Sequence, residues 1–290
     1  SKFGVSRRFP AGNGVLWKPY FEENAVDTDL YLIKFIDKSN CMRGLIYNYA
    51  CHPSTLGSDN YLISADFPGV VRKHLESHYP GMTAVFLQDC GADIKPYITA
   101  DNGRFKSCGY DELEQAGISL AKEIQGCIDK SEWRKIDAEI KTGYSDMKLY
   151  VEVWNVRKWV DIVNDPDQPS YIKVAAKKIL GDIKEGKAKN HLPYYMSILR
   201  LDKKACIIGL ECEVISDIGK NIKKVLSDED VIVLGYSNSS VCYIPTGKVL
   251  QEGGYESASF ISAGLAGPFV QEVEDIILGR AIAMAKCRSS

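Results

Sequence analysis

The chain has 290 residues, 45% of them hydrophobic and 26% charged, with a formal net charge of −2. That length is enough to bury roughly three quarters of the unfolded surface in a core without staples, as one large domain or two small ones. The near-balanced charge removes the electrostatic reason to expect a nucleic-acid or anionic-membrane partner, and no run of eighteen apolar residues offers a transmembrane helix.

In chain order, DLYLIKFID (29–37) and RGLIYNYAC (43–51) are β-branched and aromatic runs separated by a polar turn, and predict a hairpin whose second strand ends at His52. FPGVVRKHLESHY (67–79) carries apolar residues at helical spacing, with Pro68 suited to a first turn. MTAVFLQDCGAD (82–93) reads as a buried strand running into a glycine-containing loop, and DELEQAGISLAKEIQGCI (111–128) as an amphipathic helix.

Beyond Asp129, KIDAEIKTGYSDMKLYVEVW (135–154) alternates like strand and SYIKVAAKKILGDIKEG (170–186) like helix, and 155–192 reads as a helical insertion. YYMSILRLDKKACIIGLECEV (194–214) predicts a hairpin turning at Asp-Lys-Lys. ISDIGKNIKKVL (215–226) follows as a helix and DVIVLGYSN (230–238) as a strand. A Gly- and Ser-rich stretch to about residue 267 reads as loop, and 267–286 as a final helix. Strands alternating with helices, with hairpins among them, predict an α/β (α+β) layered fold with mixed sheets flanked by helices.

The nine cysteines are odd in number, include no CxxC pair and often sit in apolar runs, so they read as reduced thiols behaving as small hydrophobes. They lean toward a reducing, cytoplasmic compartment. No stretch reads as a signal peptide.

Candidate chemistry gathers where strands run out, because a rigid sheet aims groups there. His52, Asp93 with Lys95, Glu213 and Tyr243 all follow strand-like runs. His52 alone reads as a ligand, a base or a hydrogen-bonded structural histidine. Glu211 and Glu213 alternate onto one strand face, where a carboxylate needs a cation or hydrogen bonds to offset desolvation. In EGGYE, paired glycines before Tyr255 imply a tight turn that presents the ring. His74 and His78 have the i, i+4 spacing of two zinc ligands but lack the HExxH glutamate, and read as a solvated helix end. GxSxG, P-loop and GxGxxG motifs are absent, which excludes serine α/β-hydrolase and nucleotide-binding readings. The residues by themselves suggest an enzyme-like cluster of His, Asp, Glu and Tyr, with a divalent metal open.

Four segments, in order, resemble the neutral/alkaline non-lysosomal ceramidase family, in its bacterial ceramidase-like branch: NYACHPSTLGSDNYLISADFPG (48–69), VFLQDCGADIKPY (85–97), IIGLECEV (207–214) and YSNSSVCYIPTGKVLQEGGYE (236–256). The last keeps Tyr243 and Tyr255 twelve positions apart, like the family's zinc-binding and active-site tyrosines. The resemblance implies His52, Glu213 and Tyr243 as zinc ligands, Tyr255 as the oxyanion's hydrogen-bond donor, and Asp93 as a residue that holds the loop or orients a catalytic group. Asn48, Asp66 and Asn238 would support the ligands. It implies a zinc-dependent hydrolase of an amide (N-acyl) bond in a small-molecule or lipid-like substrate.

Two departures qualify this. The family's upstream His-Thr-His segment has no counterpart, so the chain reads as the later part of a catalytic domain, 1–290 as a single portion, with zinc weakly held or absent. The active-site serine position falls on Lys95, which sets ceramide itself apart from the expected substrate. The alternative of another class is a catalytically inactive ligand-binding protein on the same scaffold. A face left uncovered by the earlier part would favour homo-oligomers. Family members are often secreted, which opposes the cytoplasmic reading from cysteine usage.

Overall fold

A computed structural model describes residues 1–12 and 14–287. The backbone divides into two compact units, one of residues 1–11 and 16–138, the other of residues 12–15 and 139–290.

The first unit opens with β1 (Gly4–Ala11) and β2 (Gly14–Tyr20), continues with β3 (Leu30–Ile36), β4 (Met42–Tyr49), α1 (Asp66–His78), β5 (Thr83–Gln88), β6 (Ile94–Pro96), β7 (Ala100–Asp101) and β8 (Arg104–Phe105), and closes with α2 (Tyr110–Lys130). β3 and β4 form the expected antiparallel hairpin, and β5 adds parallel to β4. Along β4, Leu45, Tyr47 and Tyr49 are buried at period two, which puts all three on one face. Helix α1 meets that core with Phe67, Val71 and Leu75, one stripe at i, i+4, i+8, and α2 with Leu113, Leu120 and Ile124. Each such side chain contributes about 1.5–3 kcal/mol by leaving water. Truncating one, as in Leu75→Ala, would cost about 2–5 kcal/mol because the cavity collapses incompletely.

A second sheet in this unit has the order β2-β1-β6, with Val5 opposite Lys95 and Ser6 opposite Ile94. Neither β1 nor β2 is expected from hydropathy. The reason is visible in the burial: Arg7 and Arg8 are 5% and 7% exposed, so charged residues occupy interior positions of β1.

The second unit contains β9 (Lys141–Tyr150), α3 (Val156–Asn164), α4 (Ser170–Lys184), β10 (His191–Asp202), β11 (Ala205–Leu210), β12 (Glu213–Val214), α5 (Ser216–Val225), β13 (Asp230–Leu234), β14 (Tyr243–Ile244), α6 (Gly247–Glu252), α7 (Tyr255–Ala258) and α8 (Val273–Lys286). Its main sheet runs β13-β11-β10-β9: the β9–β10 and β10–β11 pairs are antiparallel and β11–β13 is parallel. Asp202 steadies the β10–β11 turn, its carboxylate accepting from the Lys204 amide at 2.7 Å. Helices α3 and α4 lie between β9 and β10 in sequence and pack on one another. Trp159 of α3 is fully buried against the rings of Trp154 and Phe260.

Both units carry mixed sheets with helices on them, the α/β architecture expected from the alternation of elements. Two local expectations differ. The stretch read as loop after residue 238 contains β14, α6 and α7, elements of two to six residues that are too short for periodicity to resolve. The final helix starts at Val273, not at 267, because 266–269 is held instead beside the end of β9, with Phe269 bridging Val151. There the Glu152 and Trp154 amides donate to the Pro268 and Ala266 carbonyls at 2.7 and 2.9 Å.

Candidate functional site

The candidate residues divide between the units: His52, Asp93 and Lys95 belong to the first, Glu213, Tyr243 and Tyr255 to the second.

In the first unit β4 ends at Tyr49, and the chain turns at His52-Pro53-Ser54, where the Ser54 amide donates back to the His52 carbonyl at 2.8 Å. The 89–94 loop after β5 grips this turn. The His52 amide donates to the Ile94 carbonyl at 3.0 Å, and the imidazole hydrogen-bonds the Ala92 carbonyl. The loop comes this close because residue 91 is glycine: a Cβ there would lie 2.7 Å from the Cys51 nitrogen and 3.0 Å from the Ala50 carbonyl carbon. Burial, then the fields of Arg7 and Lys95, push the His52 pKa down to about 3, against the raising effect of Ala92. The ring is therefore neutral at ordinary pH. One nitrogen donates to Ala92, which leaves the other as a lone-pair donor, the state a metal ligand or general base requires.

Lys95 engages the turn that carries His52: its Nζ donates to the Ser54 carbonyl at 3.0 Å and to the Ser54 Oγ at 3.1 Å, and lies 5.7 Å from the Phe105 ring centroid. Burial, then Arg7, lower its pKa. Asp93 is 5% exposed, and its carbonyl accepts the Arg7 amide at 2.9 Å. Of the expected supporting residues, Asp66 holds the His52 segment, its carboxylate accepting from the amides of Thr55, Leu56 and Phe67 at 2.8–3.1 Å. Asp66 adopts φ 49° to do so. Asn48 is fully buried and donates from Nδ2 to the Leu87 carbonyl at 3.0 Å. Between His52 and Asp66 the chain displays Tyr61, Leu62 and Ile63 at 94%, 69% and 105% exposure, on a turn tied by Asn60 Nδ2 to the Leu62 carbonyl at 2.9 Å. His74 and His78 lie on α1 as spaced, with His78 exposed beside the Tyr79 ring.

In the second unit three candidates come together. β12 and β14 form a two-stranded parallel sheet in which Glu213 is the register partner of Tyr243. The Tyr243 ring meets that of Tyr255 edge-on, with centroids 5.3 Å apart and an interplanar angle of 74°. Tyr243 is 8% exposed and Tyr255 57%, so the pair has a buried and a presented member. Presentation follows from Gly253 and Gly254, whose φ of 76° and 95° turn the chain tightly after α6, as the paired glycines led us to expect. The Tyr243 amide donates to Ser259 Oγ at 2.9 Å, which fixes the β14 end over α7.

Glu211 and Glu213 do not share a face. Cys212 between them has φ 68°, a left-handed residue that ends the alternation. Glu211 is 3% exposed, accepts the Tyr195 amide at 2.9 Å, and has its pKa raised by burial. Glu213 belongs instead to β12, where its Oε2 accepts from the Tyr236 hydroxyl at 3.1 Å. Tyr236 was not singled out by sequence. Its φ of 57° turns it to this position, and a tyrosine after glycine in GYSN carries no distinctive signal. Asn238 is exposed with φ 66° and makes a turn in the same segment. Cys212 and Cys242, one residue before each partner, hydrogen-bond each other; the bond favours the Cys212 thiolate and pushes Cys242 up.

No family model matches the chain, and no curated protein matches it significantly. Solved structures do. The neutral ceramidase from Pseudomonas aeruginosa superposes with a TM-score of 0.66 at 14% identity, over 90% of this chain and 46% of that one. A ceramidase complexed with C2 gives 0.65 at 13% identity, over 90% and 48%. The chain thus spans about half the length of the structures it matches. The likeness is one of fold, to part of the neutral ceramidase structure.

Taken unit by unit, the donor types are ones that zinc accepts: a neutral imidazole at His52 in the first, and in the second a carboxylate and a phenol on the register partners Glu213 and Tyr243. The field of Arg7 and Lys95 at His52 opposes a dication, and among the described residues no group of three or more His, Cys, Asp or Glu is gathered to hold a metal. A tyrosine-containing set lies outside those four residue types.

Proposed function

We propose that the chain is part of a zinc-dependent hydrolase acting on an N-acyl bond, with Glu213, Tyr243 and His52 as the metal's protein donors. The observation that carries this reading is the Glu213–Tyr243 register pair with Tyr255 edge-on to it. Zinc bound there supplies Lewis-acid polarisation of a carbonyl and activation of water.

The protein's own groups do the remaining work. Tyr236 orients the Glu213 carboxylate by donating to Oε2, as a metal-ligating carboxylate requires. Tyr255, presented by Gly253-Gly254, donates its phenol proton in a hydrogen bond to the oxyanion as the acyl carbon becomes tetrahedral. Ala92 fixes the His52 tautomer, and Asp93 and Lys95 position the turn that carries it, Lys95 through Ser54. Lys95 stands where the resemblance puts the ceramidase serine, and its ammonium already serves Ser54, so the reading favours N-acyl substrates other than ceramide. The exposed Tyr61-Leu62-Ile63 tip beside the His52 segment suits an acyl chain or other lipid-like substrate.

The test is a panel of N-acyl amines, N-acyl amino acids and ceramides assayed with and without added zinc. Zinc-dependent release of fatty acid or amine, lost in Tyr255→Phe, supports the proposal. Binding of panel members without turnover, at every zinc level, would replace it with a ligand-binding role.

A further inference from the structure

The chain contains one cysteine pair whose placement has a chemical consequence of its own. β12 and β14 are parallel neighbours with Glu213 opposite Tyr243, and Cys212 and Cys242 each sit one residue before those partners. Two backbone bonds tie the segments there: the Glu213 amide donates to the Cys242 carbonyl at 3.0 Å, and the Cys212 amide to the Ser239 carbonyl at 2.7 Å. Both residues are buried, at 1% and 5% exposure. Adjacent strands run about 4.8 Å apart, inside the roughly 4.4–6.8 Å Cα window that a disulfide spans without backbone movement. All nine cysteines are free thiols in this structure.

We infer that Cys212 and Cys242 form a reversible, oxidation-dependent crosslink that ties β12 to β14 at the base of the Glu213–Tyr243 pair. With a peroxide as oxidant the chemistry balances. One thiol is oxidised to a sulfenic acid with release of water, and the second thiol attacks that sulfur. The S–S bond forms and a second water leaves, so the pair gives up two electrons and two protons and the peroxide accepts them. A dithiol reverses the reaction by thiol–disulfide exchange. Crosslinking fixes the spacing of the two strands that carry Glu213 and Tyr243. The inference rests on strand geometry and does not depend on the hydrolase reading.

The test treats the folded chain with hydrogen peroxide, blocks remaining thiols with an alkylating reagent and maps disulfides by mass spectrometry of a digest. We expect a Cys212–Cys242 peptide pair as the first disulfide to appear, removed by dithiothreitol and missing in both Cys212→Ser and Cys242→Ser. A melting curve on the unmutated chain supplies a readout independent of those variants: its midpoint rises on oxidation and falls back on reduction, as a closed loop in the unfolded chain requires. Thiols that stay unlinked at peroxide doses that oxidise the exposed Cys41 and Cys287, or that proceed to unlinked sulfinic acids, would overturn it.

Discussion

Glu213 and Tyr243 are register partners in a two-stranded parallel sheet, and the Tyr236 hydroxyl donates to Oε2 of that glutamate at 3.1 Å. A carboxylate held by a neighbouring phenol is fixed in direction, which matters more for a ligand than for a solvated surface group.

Removing that hydroxyl gives the first prediction. Tyr236→Phe keeps the ring and loses the hydrogen bond. Zinc affinity should fall roughly 10–100-fold, the usual effect of losing a ligand's orienting partner, while the melting midpoint moves little. Titration with zinc in a competing chelator measures the first and calorimetry the second; unchanged affinity would show that Tyr236 has no orienting role.

Gly253 is a clean backbone test. Its φ of 76° lies in the left-handed half of the map, and a Cβ there meets nothing within 4 Å. Gly253→Ala should therefore destabilise the chain by about 1–3 kcal/mol through strain alone, read as a shift in denaturant midpoint. A neutral result would mean that the turn presenting Tyr255 is not held in this conformation.

Asp66 accepts three backbone amides with one carboxylate. Asp66→Ala leaves those donors without an acceptor, and should cost about 3 kcal/mol, since each buried unsatisfied group costs roughly 1–3 kcal/mol. Amide exchange should quicken at Thr55, Leu56 and Phe67 before it does in α2.

The His52 pKa, pushed down to about 3 by burial first and then by Arg7 and Lys95, sets a pH dependence. In the unfolded chain the ring titrates near 6.5. Between about pH 6.5 and 3 the unfolded state binds a proton that the folded state does not, so stability falls as pH falls through that window, by at most ~1.4 kcal/mol per pH unit from this group. Above pH 6.5 the effect is absent. His52→Gln should flatten the pH dependence of the denaturant midpoint between pH 6 and 4, pH values chosen to lie roughly inside that window. In NMR the His52 ring of the unmutated chain should stay neutral at about pH 5. A ring that protonates near its ordinary pKa would contradict the half-buried, cation-flanked setting.

Much of this fold was legible because its longer elements carry a clean period. The β3–β4 and β10–β11 hairpins and helices α1, α2 and α5 lie where alternation and helical spacing put them. β1 escaped because Arg7 and Arg8 fill its buried positions, so tertiary pairing overrides hydropathy there. At the candidate site, the ordered motifs pointed to Glu213, Tyr243 and Tyr255, and the structure brings these three together. The separation of Glu211 from Glu213 was not legible: it depends on a left-handed cysteine, a conformation that residue type does not announce. Tyr236 and the Cys212–Cys242 neighbourhood were hidden for a related reason, since both join segments roughly twenty to thirty residues apart and show no local pattern.

The most direct test of the proposed metal site is zinc stoichiometry by elemental analysis of the purified chain, dialysed against zinc and then against buffer, beside Glu213→Gln and His52→Ala. The account expects about one zinc per chain, as a single-site reading requires, and loss of that zinc in both variants. A chain that retains no zinc, or variants that retain as much as the unmutated protein, would contradict it.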